Sequence, residues 1–242
     1  MSIAYDYARG SSASSYLAKP LQLLIGGQHV PSVSGRTFTS LNPATEQAIA
    51  TVAEGNAEDV DHAVAAARRA FEGPWRTMRA AERGAILLRW AQLLRDHADE
   101  IVELESLDAG KPVAAVLRQD LPAAIDTLTY YAGWADKISG DVVSTRDDAL
   151  TYTVREPVGV VAAIVPWNFP LMIGMWKLAP ALACGCTVVM KPAELTSLSA
   201  LRIGDLALEA GLPPGVLNIV TGPGRTVGEA LVNHPDVDKV TF

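Results

Sequence analysis

Three short segments carry polar or glycine residues directly after apolar runs, the arrangement from which loop chemistry is built. Val165-Pro-Trp-Asn168 closes the run Val158-Gly-Val-Val-Ala-Ala-Ile-Val165, Lys191-Pro-Ala-Glu194 follows Thr187-Val-Val-Met190, and Thr221-Gly-Pro-Gly-Arg-Thr-Val-Gly228 follows Val216–Val220. A Lys at the end of a strand can pair with phosphate or ribose oxygens. A carboxylate three residues on can accept from both hydroxyls of an adenosine ribose while repelling a 2′-phosphate. The same pair also reads as a solvated Lys and a Glu that caps the following helix. The glycine segment is spaced Gly222-x-Gly224-x-x-x-Gly228, which is not the Gly-x-Gly-x-x-Gly pattern. Its glycines would admit a nucleotide close to the backbone, although a ligand-free turn is the commoner use of such a segment. Asn168 reads both as a helix cap and as an amide that donates to a developing oxyanion. Lys177 interrupts the apolar face Met175-Trp-Lys-Leu-Ala179, so its ammonium either reaches water or is held near the site.

Cys184 and Cys186 invite a nucleophile reading that geometry opposes. Both precede the strand Thr187–Met190 and so lie at its amino end, whereas Lys191 marks its carboxyl end, roughly 13 Å away at strand rise. They are expected to be small buried fillers.

The elements that must hold these segments alternate. Apolar strands at Val158–Val165, Thr187–Met190, Val216–Val220 and Lys239–Phe242 are separated by helical patterns at about Leu171–Ala183, Ser197–Ala210 and Thr226–Asn233. Strand–helix alternation implies right-handed crossovers and an α/β fold with a doubly wound parallel sheet, Rossmann-like, in which ligands bind beyond the carboxyl ends of the strands. All three segments are therefore expected on one edge. Upstream, residues 1–19 read as a loose leader. Leu23–Val30 reads as a hairpin turning at Gly26-Gly27, and Ala48–Ala53 as a short strand. An amino-terminal helical region then has one helix from Asn56 or Glu58 to Gly73-Pro74, a long one from Arg79 to Leu107, and a third from Val113 to Ile138. Gly140–Glu156 reads as a protruding β-hairpin turning at Arg146-Asp-Asp148. A strand that ends the chain, as Lys239–Phe242 does, is unusual for a buried element.

Composition narrows the function classes. With 49% hydrophobic and 19% charged residues among 242, the chain has enough apolar surface to fold. Its 20 Lys+Arg against 27 Asp+Glu give a net charge of −7, which offers no footprint for nucleic acid or an anionic membrane. Two Cys cannot form a secreted disulfide framework, and four scattered His with no His-Glu-x-x-His or Cys-x-x-Cys give no metal site. The uncharged stretch Pro157–Trp176 has the length of a membrane span, but Pro166 and Pro170 interrupt it, and its first part is β-branched like a buried strand. Met1–Asp6 lacks a basic n-region, so no signal peptide is expected. The composition reads as cytoplasmic and metal-free.

The ordered blocks Glu156-Pro-Val-Gly-Val-Val161, Pro166-Trp-Asn-Phe-Pro170, Trp176-Lys-Leu-Ala-Pro-Ala-Leu182, Thr187-Val-Val-Met-Lys-Pro-Ala-Glu194, Gly211-Leu-Pro-Pro-Gly-Val-Leu-Asn-Ile-Val220 and His234-Pro-Asp-Val-Asp-Lys-Val-Thr-Phe242 resemble the NAD(P)-dependent aldehyde dehydrogenase superfamily. The resemblance runs from about Leu24 to Phe242. It implies Asn168 as the oxyanion donor and Lys177 as a lysine that supports catalysis in some members. It implies Val165, Pro166 and Trp167 lining the cofactor, with Lys191, Pro192, Ala193 and Glu194 holding the adenosine ribose. Gly224, Arg225 and Gly228 would lie near the adenine and pyrophosphate. Residues 20–139 and 157–242 would then form the amino-terminal part and the NAD-binding core of one cofactor domain, and 140–156 an oligomerisation arm. The implied cofactor is NAD, favoured over NADP by Glu194; the implied substrate is a small aldehyde, and the implied assembly a homo-oligomer.

Members of the superfamily continue past the residue matching Phe242 into a Gly-Ser turn, then to a Glu base and a Cys nucleophile in a catalytic domain. Aldehyde oxidation needs that thiolate and base as well as an oxyanion donor and a hydride acceptor. The first expectation is therefore the amino-terminal half of an NAD-dependent aldehyde dehydrogenase, active only when completed. A non-catalytic nucleotide-binding or subunit-interaction protein is the second, and an acyl-group reductase, which Glu194 disfavours, is the third.

Overall fold

The central strands are buried on both faces, and their sequences show why. In Val160–Ile164, Val160 and Ala162 pack with one apolar cluster and Val161 and Ala163 with another. In Thr187–Lys191, Val189 joins the first cluster and Val188 and Met190 the second. Period-two alternation with no polar face is the mark of a parallel strand sandwiched between helices. The computed structural model of the protein describes residues 12–242.

The chain runs α1 (Ser14–Leu17), β1 (Leu23–Ile25), β2 (Gln28–Val30), β3 (Thr37–Leu41), β4 (Ala48–Ala53), α2 (Ala57–Glu72), α3 (Pro74–Thr77), α4 (Ala80–Asp96), α5 (Ala98–Ala109), α6 (Val113–Ala115) and α7 (Leu121–Ala132). It continues through β5 (Val142–Arg146), β6 (Ala149–Tyr152), β7 (Val160–Ile164), α8 (Pro170–Ala183), β8 (Thr187–Lys191), α9 (Leu198–Glu209), β9 (Leu217–Ile219), α10 (Glu229–Asn233) and β10 (Lys239–Thr241). The main sheet has the order β10-β7-β8-β9-β1-β2. Its first four strands are parallel, while the β1–β2 hairpin joins β9 antiparallel through Leu24 and Ile219. Helices α2 and α10 cover one face; α8 and α9 cover the other, backed by α4, α5 and α7.

The Rossmann-like expectation holds for the four carboxy-terminal strands. The Leu23–Val30 hairpin turns at Gly26-Gly27, both at positive φ, as glycine permits. The hairpin is tied to the sheet where the buried Asn218 accepts from the Gly26 amide at 2.8 Å. Helix α2 starts at an Asn56–Asp59 capping box and stops at Gly73. The second hairpin, β5–β6, is exposed along both strands.

Three expectations need correction, and one strand was not foreseen. Residues 1–11 of the expected leader lie outside the described residues, but 12–19 are not loose. Ala13 is fully buried, and Ser12 and Ala13 donate to Glu103 through a hydroxyl and a backbone amide at 2.9 and 3.1 Å. The helix expected over Arg79–Leu107 is two helices, because His97 leaves helical geometry (φ −103°, ψ 23°) between α4 and α5. The helix expected over Val113–Ile138 ends at Ala132 and is widened to a π-turn at Val116–Asp120, just before Pro122, whose missing N–H interrupts the regular ladder. Strand β3 was not expected from its sequence, Thr-Phe-Thr-Ser-Leu, whose polar residues carry little apolar signal; its register opposite β4 gives it its place.

Candidate functional site

Strands β7 and β8 end side by side. Ile164 pairs with Lys191, and the Val165 amide donates to the Lys191 carbonyl at 2.9 Å. On the other side of β8, the Val220 amide donates to the Met190 carbonyl, also at 2.9 Å. The segments 165–168, 191–194 and 221–228 therefore leave neighbouring strands at one edge, the carboxyl edge. Thr221 anchors the third: its hydroxyl donates to the Ala53 carbonyl at 2.6 Å, and its own carbonyl accepts from the Gly55 amide. Gly222 turns the chain at φ +142°, where a Cβ would press on the Val227 side chain. A π-turn over Gly224–Gly228 then leads into α10.

Gly228 brings two of the segments together. A Cβ there would lie 3.6 Å from Cδ of Lys191, so the lysine stem runs along the glycine backbone. Lys191 is 3% exposed, and its ammonium donates to the Pro192 carbonyl at 2.7 Å. Glu194 lies 3.6 Å away, too far for a hydrogen bond but close enough to act electrostatically. Burial pushes the lysine pKa down and Glu194 opposes the shift. The Pro192 carbonyl is the one hydrogen-bond acceptor that this ammonium has among the described residues, and an ammonium has three donors. The reading of a solvated Lys and a helix-capping Glu does not hold: Lys191 is buried, and the N-cap of α9 is Ser197.

Beside this lies an open cleft of about 500 Å³, lined by Ile164, Gly224, Arg225, Gly228, Glu229, Val232, Asn233 and Phe242. It sits where the strand order reverses, since β8 lies on one flank of β7 and β10 on the other. Gly224 and Arg225 are exposed at its rim, and nothing stands within 4 Å of a Cβ built on Gly224.

Asn168 is exposed on the loop between β7 and α8, with Pro166 and Trp167, while Val165 is buried. The N-cap of α8 is Phe169, and no side chain caps it locally, so Asn168 is not the helix cap. Its amide makes no hydrogen bond among the described residues. Phe169 is gripped from the other side by the Lys111 ammonium, 3.5 Å from the ring centroid and itself paired with the buried Asp120. Lys177 donates to the Thr241 hydroxyl at 3.2 Å, which holds it to the end of β10, and partial burial lowers its pKa. The cysteines lie at the amino end of β8, as expected from order along the strand. Only Cys186 is a buried filler, however; Cys184, the C-cap of α8, is exposed.

Two residues that sequence reasoning passed over complete the picture. Glu105 and Asp108, one helical turn apart on α5, are both buried and point at the starts of α8 and α9. The signal was present as three acids, Glu103, Glu105 and Asp108, in a run that is otherwise apolar or small. A period-3.6 reading treats such acids as a solvated face.

The model of the aldehyde dehydrogenase family matches residues 29–242. The mitochondrial aldehyde dehydrogenase family 2 member B4 of Arabidopsis thaliana is 53% identical over 91% of this chain and 41% of its own length. The mitochondrial benzaldehyde dehydrogenase of Antirrhinum majus is 49% identical over 98% of this chain and 46% of its own. The NAD+ complex of an aldehyde dehydrogenase from Bacillus cereus superposes with a TM-score of 0.93 at 48% identity, covering 94% of this chain and 46% of that one. The chain thus spans about half the length of the curated relatives it matches. On that family match, with its strand order and its ordered loops, the chain belongs to the aldehyde dehydrogenase family.

Proposed function

We propose that this chain binds NAD at the carboxyl edge of its sheet and supplies the oxyanion donor for oxidation of an aldehyde to its carboxylic acid. The observation that carries the reading is Lys191, a buried ammonium with one hydrogen-bonded acceptor, lying along Gly228 and facing Glu194. Burying a cation with so little compensation is costly unless a further oxygen-rich group completes its shell. A ribose hydroxyl fits that need, and Glu194 would accept from the same ribose, where a 2′-phosphate would meet like charge. Gly224, Arg225 and Gly228 would flank the adenine and pyrophosphate; Val165, Pro166 and Trp167 would line the remainder, with Pro192 and Ala193 completing the ribose segment. The nicotinamide, when bound, accepts the hydride. Asn168 would donate its amide to the aldehyde oxygen as negative charge grows there, and Lys177 would add positive potential from α8.

The thiolate and the base that the reaction needs would come from a catalytic part of a longer enzyme. The β5–β6 hairpin, with Val142, Leu150 and Tyr152 exposed, would serve as the arm of a homo-oligomer. A cytoplasmic setting is proposed from the acidic composition and the two free cysteines. The runner-up, a non-catalytic nucleotide-binding or interaction protein, shares the cofactor edge and differs only in lacking turnover. No helix among the described residues is long and apolar enough to cross a membrane.

Titration of NAD and NADP against the fluorescence of Trp167, which is exposed at this edge, tests the reading. NAD should bind at least about tenfold more tightly than NADP, Lys191→Ala should weaken NAD by about tenfold, and Glu194→Gln should narrow the gap between the cofactors. Unchanged NAD affinity in Lys191→Ala would mean the cofactor edge is misplaced.

A further inference from the structure

The helices that follow the first two loops begin without a local cap. Neither Phe169 at the start of α8 nor Ser197 at the start of α9 makes a side-chain capping bond. The orphan amides of a helix's first turn need acceptors when they are buried. Here α5 supplies them from a distant part of the chain. Glu105 accepts from the Leu171 amide at 3.2 Å through one carboxylate oxygen and from the Ser199 hydroxyl through the other. Asp108 accepts from the Leu198 amide at 2.8 Å and from the Ser40 hydroxyl at 2.7 Å. Of these two acids, Glu105 is the one that bonds to both helices: Leu171 stands three residues past Asn168, and Ser199 five past Glu194.

We infer that Glu105 is a positioning residue whose carboxylate fixes the Asn168 loop relative to the Lys191–Glu194 segment. An apolar side chain of the same size would fill the space without the desolvation cost of a fully buried carboxyl group. What the carboxyl provides in return is two directed bonds to two separate helices. Lys111 lies close enough to stabilise its charge and Asp120 close enough to oppose it. Lys111 also grips Phe169, so the same cluster holds the Asn168 loop from two directions. The functional part of the inference rests on the proposed function, because it takes Asn168 and Lys191–Glu194 as working parts of one site.

The test uses Glu105→Gln, Glu105→Ala and Ser199→Ala in the full chain, with residue-resolved amide exchange and NAD titration. In Glu105→Ala, exchange at the Leu171 amide should quicken by about tenfold while the β5–β6 hairpin is unchanged, and the NAD Kd should rise by about tenfold. Glu105→Gln, which keeps an acceptor for Leu171 and offers a donor to Ser199, should stay within about threefold of the wild type in both readouts. Ser199→Ala cuts one tie only. It should leave Leu171 protected, quicken exchange at the start of α9, and weaken NAD by about threefold; this variant decides the matter if Glu105→Ala does not fold. Unchanged Leu171 protection in a folded Glu105→Ala, or a uniform rise across the molecule with no rescue by Gln, overturns the inference. If the wild type binds no NAD, the cofactor reading falls, and the Leu171 exchange still decides whether Glu105 holds the loop.

Discussion

Gly228 lies flat against the buried stem of Lys191, with a Cβ position 3.6 Å from its Cδ and 3.7 Å from its Cε. This contact joins the third loop to the second, and neither residue alone reveals it. A methyl group fits at ordinary van der Waals distance, and the backbone there is helical. Gly228→Ala should therefore fold normally and bind NAD within about threefold of the wild type, because alanine also favours a helical backbone. Gly228→Val adds bulk that must push Lys191 aside and should weaken NAD by about tenfold or more. Equal titration curves for the two variants would show that the contact has no bearing on the cofactor.

Asn168 separates binding from chemistry. Its side chain is exposed and has no hydrogen bond among the described residues. Asn168→Ala should leave the urea midpoint and the NAD Kd unchanged while lowering kcat in the complete enzyme by about 10²–10³-fold, the usual loss for one oxyanion donor. A drop in KM alone, with kcat kept, would remove Asn168 from the oxyanion role.

Gly159 and Gly224 form a matched pair for stability. Gly159 has φ +125°, and a Cβ there would overlap the Asp238 carboxylate, which accepts from the Val160 amide at 2.7 Å and from Arg68 at 2.6 Å. Those bonds secure β10 to β7. Gly159→Ala should cost about 2 kcal/mol or more in urea unfolding, through strain and a displaced carboxylate. Gly224→Ala, with open space around it, should stay within about 0.5 kcal/mol.

Burial raises the carboxyl pKa of Glu105 from 4.5 to about 7, and hydrogen bonds from Ser199 and Leu171 only partly offset this. Asp108 is likewise raised from 3.8 to about 7, with Leu198 and Ser40 opposing. In the window between these folded and unfolded values, the folded chain holds protons that the unfolded chain has released. The resulting stabilisation is fully present below the unfolded values of 4.5 and 3.8, shrinks as the pH rises across the window and is gone above about pH 7. For Glu105 alone the difference between pH 5.5 and pH 8 is about 2 kcal/mol. Glu105→Gln should remove that share of the slope in urea midpoints measured across this range, and a slope identical to the wild type would show that Glu105 is already ionised at pH 5.5.

The alternation of strands and helices from Val158 onward, and with it the edge where the loops emerge, is legible in the order of residues. Strands buried on both faces announce themselves as β-branched runs, and chain order then decides which end of each carries Asn168, Lys191 and the glycines. The amino-end position of Cys184 and Cys186 followed from the same logic. Other features were set only by tertiary structure. Helix α4 ends at His97, where no residue type marks a stop, and β3 has a polar sequence that becomes a strand by pairing with β4. Glu105 and Asp108 look like surface acids on an amphipathic helix until α8 and α9 present bare amides to them across 66 and 90 residues of chain. Local pattern records which face of an element is apolar. It does not record a hydrogen bond whose donor and acceptor meet only after the helices pack, and those bonds, with the close approach of Gly228 to Lys191, are what set the geometry of this edge.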